Sequence, residues 1–392
     1  MTKVLSLAPP RLGGLDMLLP IFIEMKMYCD VSIELTIDDK SLLDQLNRDP
    51  FLSKKITDVV DRMTILPKKE IRSGPNIITK ISSTFVFLKN MIGITMRLIF
   101  SKNPIFMHSG SIDTLLIGFI SKIIKIKGGY TIGHFKLMDR LFIKDKSVMD
   151  MNSSKFGDFF ICFNKRDVSS WKKEYQNKSI EIGYPRLYRS WLNVLNSSSK
   201  KYLKNDIDIN LNKNNSPLIV IFLPSTVKNI FEESELKDWI LEVTSCVDKV
   251  FPEALIVLKP HPMQNITIVK DVLTKIKNMN IVISYIHPGL MASQATLVIS
   301  HHSSTIIDAL ALDKPVIQHH KFTKHWLKRH PEGSSLLDLG QFWTQDKIEL
   351  MDKLKIIKKD QWIKPDFRHN IGHKDNLKLF FKKISLESAI KE

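Results

Sequence analysis

Two clusters in the second half of the chain have the residue types and spacing to hold a phosphate. The first is Lys259-Pro260-His261-Pro262, a cation and an imidazole, with the imidazole fixed between two backbone-restricting prolines. The second is Ser300-His301-His302-Ser303-Ser304-Thr305, a run of hydroxyls that opens a helix-like stretch from Thr305 to Leu312. A helix start presents unpaired N–H groups and the positive end of a dipole, so added hydroxyls and cations complete an anion site. His261 has the chemistry to donate to a phosphate or to act as an acid towards a leaving group. Lys259 reads as a phosphate cation or as a solvated strand-end lysine. Ser303, Ser304 and Thr305 supply more hydroxyls than an N-cap needs. Thr305 and Asp308 have capping-box spacing, with Asp where Glu or Gln is usual. His301 and His302 are neighbours, so at a strand end they point to opposite sides and one at most, His302, is expected at the ligand. No metal is expected, because adjacent histidines do not make a ligand pair.

The elements that must position these residues follow from the flanking pattern. Ala254–Leu258 and Ala295–Ile299 are mostly apolar runs that read as buried strands, so both clusters sit at strand carboxyl ends. Open α/β sheets place their ligand crevice there. Leu218–Leu223 is another strand, and Ser225 and Thr226 in its turn either line phosphates or merely turn the chain. Helices are predicted over Glu233–Val250, Ile266–Met279 and Leu290–Gln294, with strands over Ile281–Ile286, Leu297–Ser300 and Pro315–Gln318.

The first half repeats the alternation. Lys3–Ala8 reads as a strand, Pro9–Gly14 as a turn ending in Gly13-Gly14, Leu15–Met27 as a helix that starts late or kinks at Pro20, and Val31–Ile37 as a strand. Pro104–Met107 ends at His108-Ser109-Gly110, a helix covers Ile112–Ile124, and Tyr130–Ile132 ends at Gly133-His134. Phe159–Phe163 and Ser179–Ile182 are further strands. Strands alternating with helices predict parallel sheets covered on both faces. Residues 196–216 are rich in Asn, Ser, Lys and Asp and read as a linker or surface loop. Residues 375–384 read as an amphipathic helix.

Composition bounds the class. The 392 residues are 43% hydrophobic and 25% charged, a globular balance long enough for two domains. The formal charge is +17, with lysines scattered through the chain rather than gathered in one arm or helix. That pattern argues against nucleic acid and leaves an anionic substrate or an anionic membrane surface. Cys29, Cys162 and Cys246 are isolated, so neither a zinc framework nor a disulfide framework is expected, and a reducing cytoplasmic setting fits. Met1–Pro10 lacks the apolar core of a signal peptide. Phe85–Phe100, interrupted by Lys89, Asn90 and Arg97, reads either as a partly buried layer helix or as a helix lying on a membrane.

The stretch Ser300–Ile317 resembles the nucleotide-binding signature of GT-B glycosyltransferases. Lys259–Pro262 resembles the HP motif of bacterial polysialyltransferases and capsule Kdo transferases, and Ser303-Ser304 their serine motif. The CDP-glycerol glycerophosphotransferases are similar in a Ser-Ser helix and a Lys-Pro strand, and the UDP-GlcNAc 2-epimerases in overall fold. The resemblance implies a GT-B fold, two Rossmann-like domains whose parallel sheets face a central cleft. It implies an acceptor domain over 1–190, a linker over 191–216, a nucleotide-sugar domain over 217–365, and a C-terminal helix over 366–392 packing back on the first domain.

It also implies a metal-independent glycosyltransferase with no cofactor. Its donor would be a nucleotide sugar, a CMP-activated acidic sugar before a UDP-sugar. Its acceptor would be a capsule polysaccharide or glycolipid. Asp308 would then accept from ribose hydroxyls, though Asp reaches less far than the usual Glu. An acceptor hydroxyl must lose a proton as it attacks, and His108, His134 and Asp16 are the candidates for that base. The enzyme is expected in the cytoplasm, in peripheral contact with the anionic inner face of the membrane. A CDP-glycerol-type phosphotransferase or an epimerase on the same fold is the alternative.

Overall fold

The computed structural model describes residues 1–9, 12–37, 40–66, 77–109, 114–134, 156–163, 168, 173–207, 216–226, 231–262, 264–276, 279–321, 324–329, 336, 339–366, 377, 380 and 381. The chain divides into two compact units. One comprises Met1–Leu141, Asp145–Trp191 and Ile371–Glu392, the other Phe142–Lys144 and Leu192–Asn370.

The first unit is built on β1 (Thr2–Leu7), β2 (Val31–Ile37), β3 (Arg62–Ile65), β4 (Ile105–Ser109), β5 (Tyr130–His134), β6 (Phe159–Cys162) and β7 (Ser179–Glu181). They form one sheet in the order β3-β2-β1-β4-β5-β6-β7, and every pair is parallel. Helices α1 (Leu12–Tyr28), α2 (Lys40–Asn47), α3 (Pro50–Val59), α4 (Ile77–Ile99) and α5 (Leu115–Ile126) connect them, with a single turn at Lys173–Gln176. The chain reverses direction across the sheet between β1 and β4, which is the switch point of a Rossmann fold. Gly128 and Gly129 make the tight entry to β5. Gly128 has φ +69°, and a Cβ at position 129 would lie 1.8 Å from the Pro104 carbonyl oxygen.

The second unit repeats the plan. Strands β8 (Leu218–Phe222), β9 (Leu255–Lys259), β10 (Ile281–Ile283), β11 (Leu297–Ser300), β12 (Val316–His319) and β13 (Phe342–Thr344) lie in the order β10-β9-β8-β11-β12-β13, again all parallel. Its switch point falls between β8 and β11. Every residue of β8 is buried, as expected of a central strand covered on both faces. The covering helices are α6 (Arg189–Ile207), α7 (Glu233–Val250), α8 (Ile266–Leu273), α9 (Pro288–Gln294), α10 (Thr305–Ala311), α11 (Lys324–Arg329) and α12 (Lys347–Lys358), with α6 running across the boundary between the units. Helix α7 shows why they form. Leu236, Ile240, Val243, Val247 and Val250 recur at helical spacing and are buried, and the Glu235 carboxylate accepts the Glu232 N–H at 2.6 Å. This is an α/β fold of two Rossmann-like units.

Three expectations change. The stretch 196–216 is not linker throughout, because its first part, to Ile207, is the second half of α6. Trp191, Leu195, Ser199 and Leu203 fall at i, i+4, i+8 and i+12 and are all buried, so four residues at one spacing outweigh a polar composition. Gly13-Gly14 do not end a turn. They lie in the first turn of α1, which begins at Leu12 and continues through Pro20. The helix after β9 ends at Leu273 rather than reaching Met279. Within 366–392, Leu377, Phe380 and Phe381 are helical, buried and part of the first unit, and the remainder of the segment after Asp366 lies outside the described residues.

Candidate functional site

Strand register brings the Lys259–Pro262 and Ser300–Thr305 clusters to one edge. Phe222 at the end of β8 stands opposite Lys259 of β9 on one side and opposite Ser300 of β11 on the other. Three strands therefore end level. His261 lies two residues past its strand end, Ser225 three past, and Ser303 three past. Two strand spacings separate β9 from β11, about 10 Å. His261 and Ser304 thus share the carboxyl edge of one sheet, astride its switch point.

The loops at this edge are tied together. Gln264 donates its N–H to the His261 carbonyl at 2.8 Å, and its side-chain oxygen accepts the Thr226 N–H at 3.3 Å. That amide joins the β8 loop to the β9 loop. His261 is exposed, and Ser225 and Thr226 are half-buried. Lys259 is half-buried and donates its ammonium to the Tyr285 carbonyl at 3.2 Å. The ammonium is therefore positioned by the backbone rather than loose in solvent.

The tip of α10 differs from expectation. Ser303 Oγ accepts from the Thr305 N–H at 3.3 Å and from the Thr305 hydroxyl at 2.9 Å. The N–H groups of Ile306 and Ile307 turn back to the carbonyls of Ser303 and Ser304. So the N–H groups of Thr305, Ile306 and Ile307 are satisfied inside the tip, whose three hydroxyl residues are half-buried. The N-cap residue is Ser304 rather than Thr305, and it makes no side-chain cap bond, so Thr305 and Asp308 do not occupy the capping-box positions. Asp308 is buried in the first turn. At the other end, Asp313 takes φ +60° where glycine is usual. Lys314 N–H reaches the Ala309 carbonyl and Asp313 N–H the Leu310 carbonyl, closing a Schellman motif without glycine.

The two histidines differ in burial, yet both rings lie against Trp326, His301 at 6.4 Å and His302 at 4.9 Å. His301 is buried and His302 half-buried. Sequence reasoning missed what surrounds them. Ser300 stands opposite Gln318, so the tandem His319-His320 that ends β12 comes level with His301-His302. The rings of His301 and His320 are 3.8 Å apart, Phe231 lies 4.4 Å from His301, and Trp326 of α11 stands edge-on to His302 at 4.9 Å and to His320 at 4.7 Å. His319 bonds Thr344 at 2.8 Å and Glu242 at 2.9 Å. Burial pushes His301 well below the ordinary 6.5, and the neighbouring His320, His302 and His319 push it the same way. Burial also lowers His319, against the opposing pull of Glu242. The signal was available: a second His-His pair closing the next parallel strand.

In the first unit the three base candidates also gather at one carboxyl edge. His108 and His134 lie on adjacent strands, with Ser109 opposite His134. Asp16 lies in α1, just past β1. All three are buried. Asp16 is 2.9 Å from Arg186, with both side chains about 4–5% exposed, and Arg186 also donates to the Tyr184 hydroxyl at 3.1 Å. His108 stacks on Phe106. These groups stand inside the unit rather than open to solvent.

Comparison with known proteins supplies a family. A family model described as CDP-Glycerol:Poly(glycerophosphate) glycerophosphotransferase matches residues 131–360, more than half of the chain. No curated protein sequence matches. Among solved structures, the UDP-GlcNAc 2-epimerase of Neisseria meningitidis bound to UDP-GlcNAc has a TM-score of 0.60 at 15% identity, covering 98% of this chain and 99% of that one. The UDP-GlcNAc 2-epimerase of Methanocaldococcus jannaschii has a TM-score of 0.61 at 13% identity, with coverage of 98% and 99%. HepE of Anabaena, in complex with UDP and glucose, has a TM-score of 0.51 at 10% identity, with coverage of 99% and 97%. Likeness at these identities establishes the shared GT-B-type fold.

Proposed function

The chain belongs to the CDP-glycerol:poly(glycerophosphate) glycerophosphotransferase family, and from that membership we propose that it transfers a phosphate-linked polyol from a CDP-activated donor to a hydroxyl of a surface polymer or glycolipid. The observation that carries this reading is coincidence. The family match includes the whole second sheet, and at that sheet's carboxyl edge lie His261, Lys259, Ser225, Thr226, Ser303 and Ser304. An acceptor oxygen attacks the phosphorus that bears the polyol. The P–O bond to CMP breaks, CMP leaves with the electron pair, and the acceptor proton passes to a base. Charge builds on the departing CMP phosphate, where fixed donors act most strongly. His261 and Lys259 supply cationic or imidazole donors, and the Ser and Thr groups supply hydroxyls. Thr305, through its contact with Ser303, holds the tip in shape. Asp308 and His302 stand next to the tip to meet the nucleoside. No cofactor or resident metal enters this account. His134 and His108 are the candidate proton acceptors, and Asp16, held by Arg186, positions α1.

A second reading has its own support. Lys259–Pro262 resembles the HP motif of enzymes that move acidic sugars from CMP. Both reactions release CMP, but only the first puts phosphorus into the product. Incubating the purified chain with CDP-glycerol, or with a CMP-linked acidic sugar, and a polyol phosphate primer separates them by 31P NMR. A growing phosphodiester signal with CMP release supports phosphotransfer. CMP release from the sugar donor with no new diester overturns it in favour of glycosyl transfer. An isomerised UDP-sugar with no acceptor product overturns both.

A further inference from the structure

The most unusual surface of the first unit is the outer face of α4. Its inward side chains, Phe87, Met91, Ile94 and Leu98, pack on the core. Its outward side is equally apolar. Ile81, Phe85, Leu88, Ile92, Met96 and Ile99 recur at helical spacing, with Phe85 70% and Ile92 64% exposed. The stripe continues beyond the helix. Phe100 is 80% exposed, and on α5, which packs against α4, Leu115, Phe119 and Ile126 are exposed in turn. Soluble surfaces rarely leave so much contiguous apolar area in water. Only Ile94 and Leu98 of the 23-residue helix are fully buried.

Charge selects the occupant. Helices α4 and α5 contain no Asp or Glu, and they carry Lys80, Lys89, Arg97, Lys122 and Lys125. The four lysines are exposed, and Arg97 is spent on buried Glu34. A second copy of the chain would bring like charges together, whereas anionic headgroups match the lysines while acyl chains match the stripe. Helix α4 is long and apolar enough to cross a bilayer, but its inner face is committed to the core. The Arg97–Glu34 pair and the Asn90 bond to the Ile65 carbonyl at 2.7 Å hold it there. The geometry points to a membrane-docking surface: α4 and α5 lie in the plane of an anionic lipid bilayer, with the Phe85–Ile92–Ile99 stripe sunk among the acyl chains and the lysines at the headgroups. This inference is independent of the donor, whose proposed site is in the other unit.

The test is co-sedimentation of the full chain with vesicles of phosphatidylglycerol and phosphatidylcholine, against phosphatidylcholine alone. Binding is expected only with the anionic lipid, and Phe85→Asp/Ile92→Asp should lower it about tenfold or more. Lys80→Gln/Lys89→Gln should weaken it and flatten its salt dependence. Because Cys29, Cys162 and Cys246 are buried, Leu88→Cys can carry an environment-sensitive fluorophore. Its emission should shift to the blue on anionic vesicles. This second readout uses a 53%-exposed position, and it stands even if the double variant folds poorly. CMP release from a soluble donor should be unchanged in all variants. Unaltered vesicle binding by the double variant, an unshifted label, or a stripe variant that only dissolves a dimer would each overturn the inference.

Discussion

At the carboxyl edge of the second sheet His261 is exposed and Ser225, Thr226, Ser303 and Ser304 are half-buried, whereas at the same edge of the first sheet His108, His134 and Asp16 are buried. Strand order is the same in both sheets up to the sixth strand. Topology alone therefore brings polar residues to a switch point twice. Packing then decides what they do. In the second unit Lys259 is bonded to the Tyr285 carbonyl and Thr226 to Gln264, while His261 stays exposed. In the first unit an aspartate is closed onto an arginine and an imidazole onto a phenylalanine. A strand-end position marks a residue for attention, and its exposure separates groups open to solvent from groups enclosed in the unit.

The comparison can be broken most forcefully in the first unit. Asp16→Ala removes a buried carboxylate from the Arg186 guanidinium, which should cost about 3–5 kcal/mol of stability. Denaturant titration measures it, and a loss under 1 kcal/mol would mean the pair is not structural. In the second unit the order of effects reverses, with activity moving and stability still. His261→Ala should lower turnover about a hundredfold, comparable to losing one preorganised donor to a developing charge, and its melting temperature should match wild type because the side chain is exposed. Steady-state rates beside a thermal melt decide it. Ser303 and Ser304 sharpen the contrast within a single turn. Ser303→Ala removes the acceptor for Thr305 and should lower stability by about 1 kcal/mol. Ser304→Ala leaves the Ser303–Thr305 bonds in place, so its stability loss should be the smaller, and it should raise the donor KM. Equal stability losses in the two variants would dissolve that distinction.

The smallest effect is in pH. His301 is depressed in the folded state, so its neutral form is favoured there. The unfolded chain, near the ordinary 6.5, takes up protons first as pH falls. Stability should therefore be level above about pH 7 and decline below 6.5. His301→Phe should flatten that decline in a series of melts. A decline of the same slope in the variant would assign it to other groups.

Much of the scaffold was legible in the sequence because buried parallel strands announce themselves as short apolar runs. Leu297–Ser300 begins and ends where expected, and Glu233–Val250 is a helix over its whole predicted length. The Lys-Pro-His-Pro and Ser-Ser clusters were legible as strand-end residues because each follows such a run. What stayed hidden was carried by tertiary contact. Helix α6 was obscured by its Asn, Ser and Lys content, although Trp191, Leu195 and Leu203 mark its inner side. The sealing of Asp16 by Arg186 joins residues far apart in sequence and leaves no local trace. The internal bonding of the α10 tip depends on the turn that Ser303 makes, which composition does not reveal. His319 and His320 joined His301 and His302 only through the register of β11 and β12.

The claim on which the rest stands is that the carboxyl edge of the second sheet grips the phosphate of a cytidine nucleotide. Isothermal titration of CMP into wild-type protein and into His261→Ala tests it most directly. Saturable binding to the wild type, weakened about tenfold or more in the variant, is the expected result. Equal affinity for CMP in both proteins, or no binding to either, would contradict it.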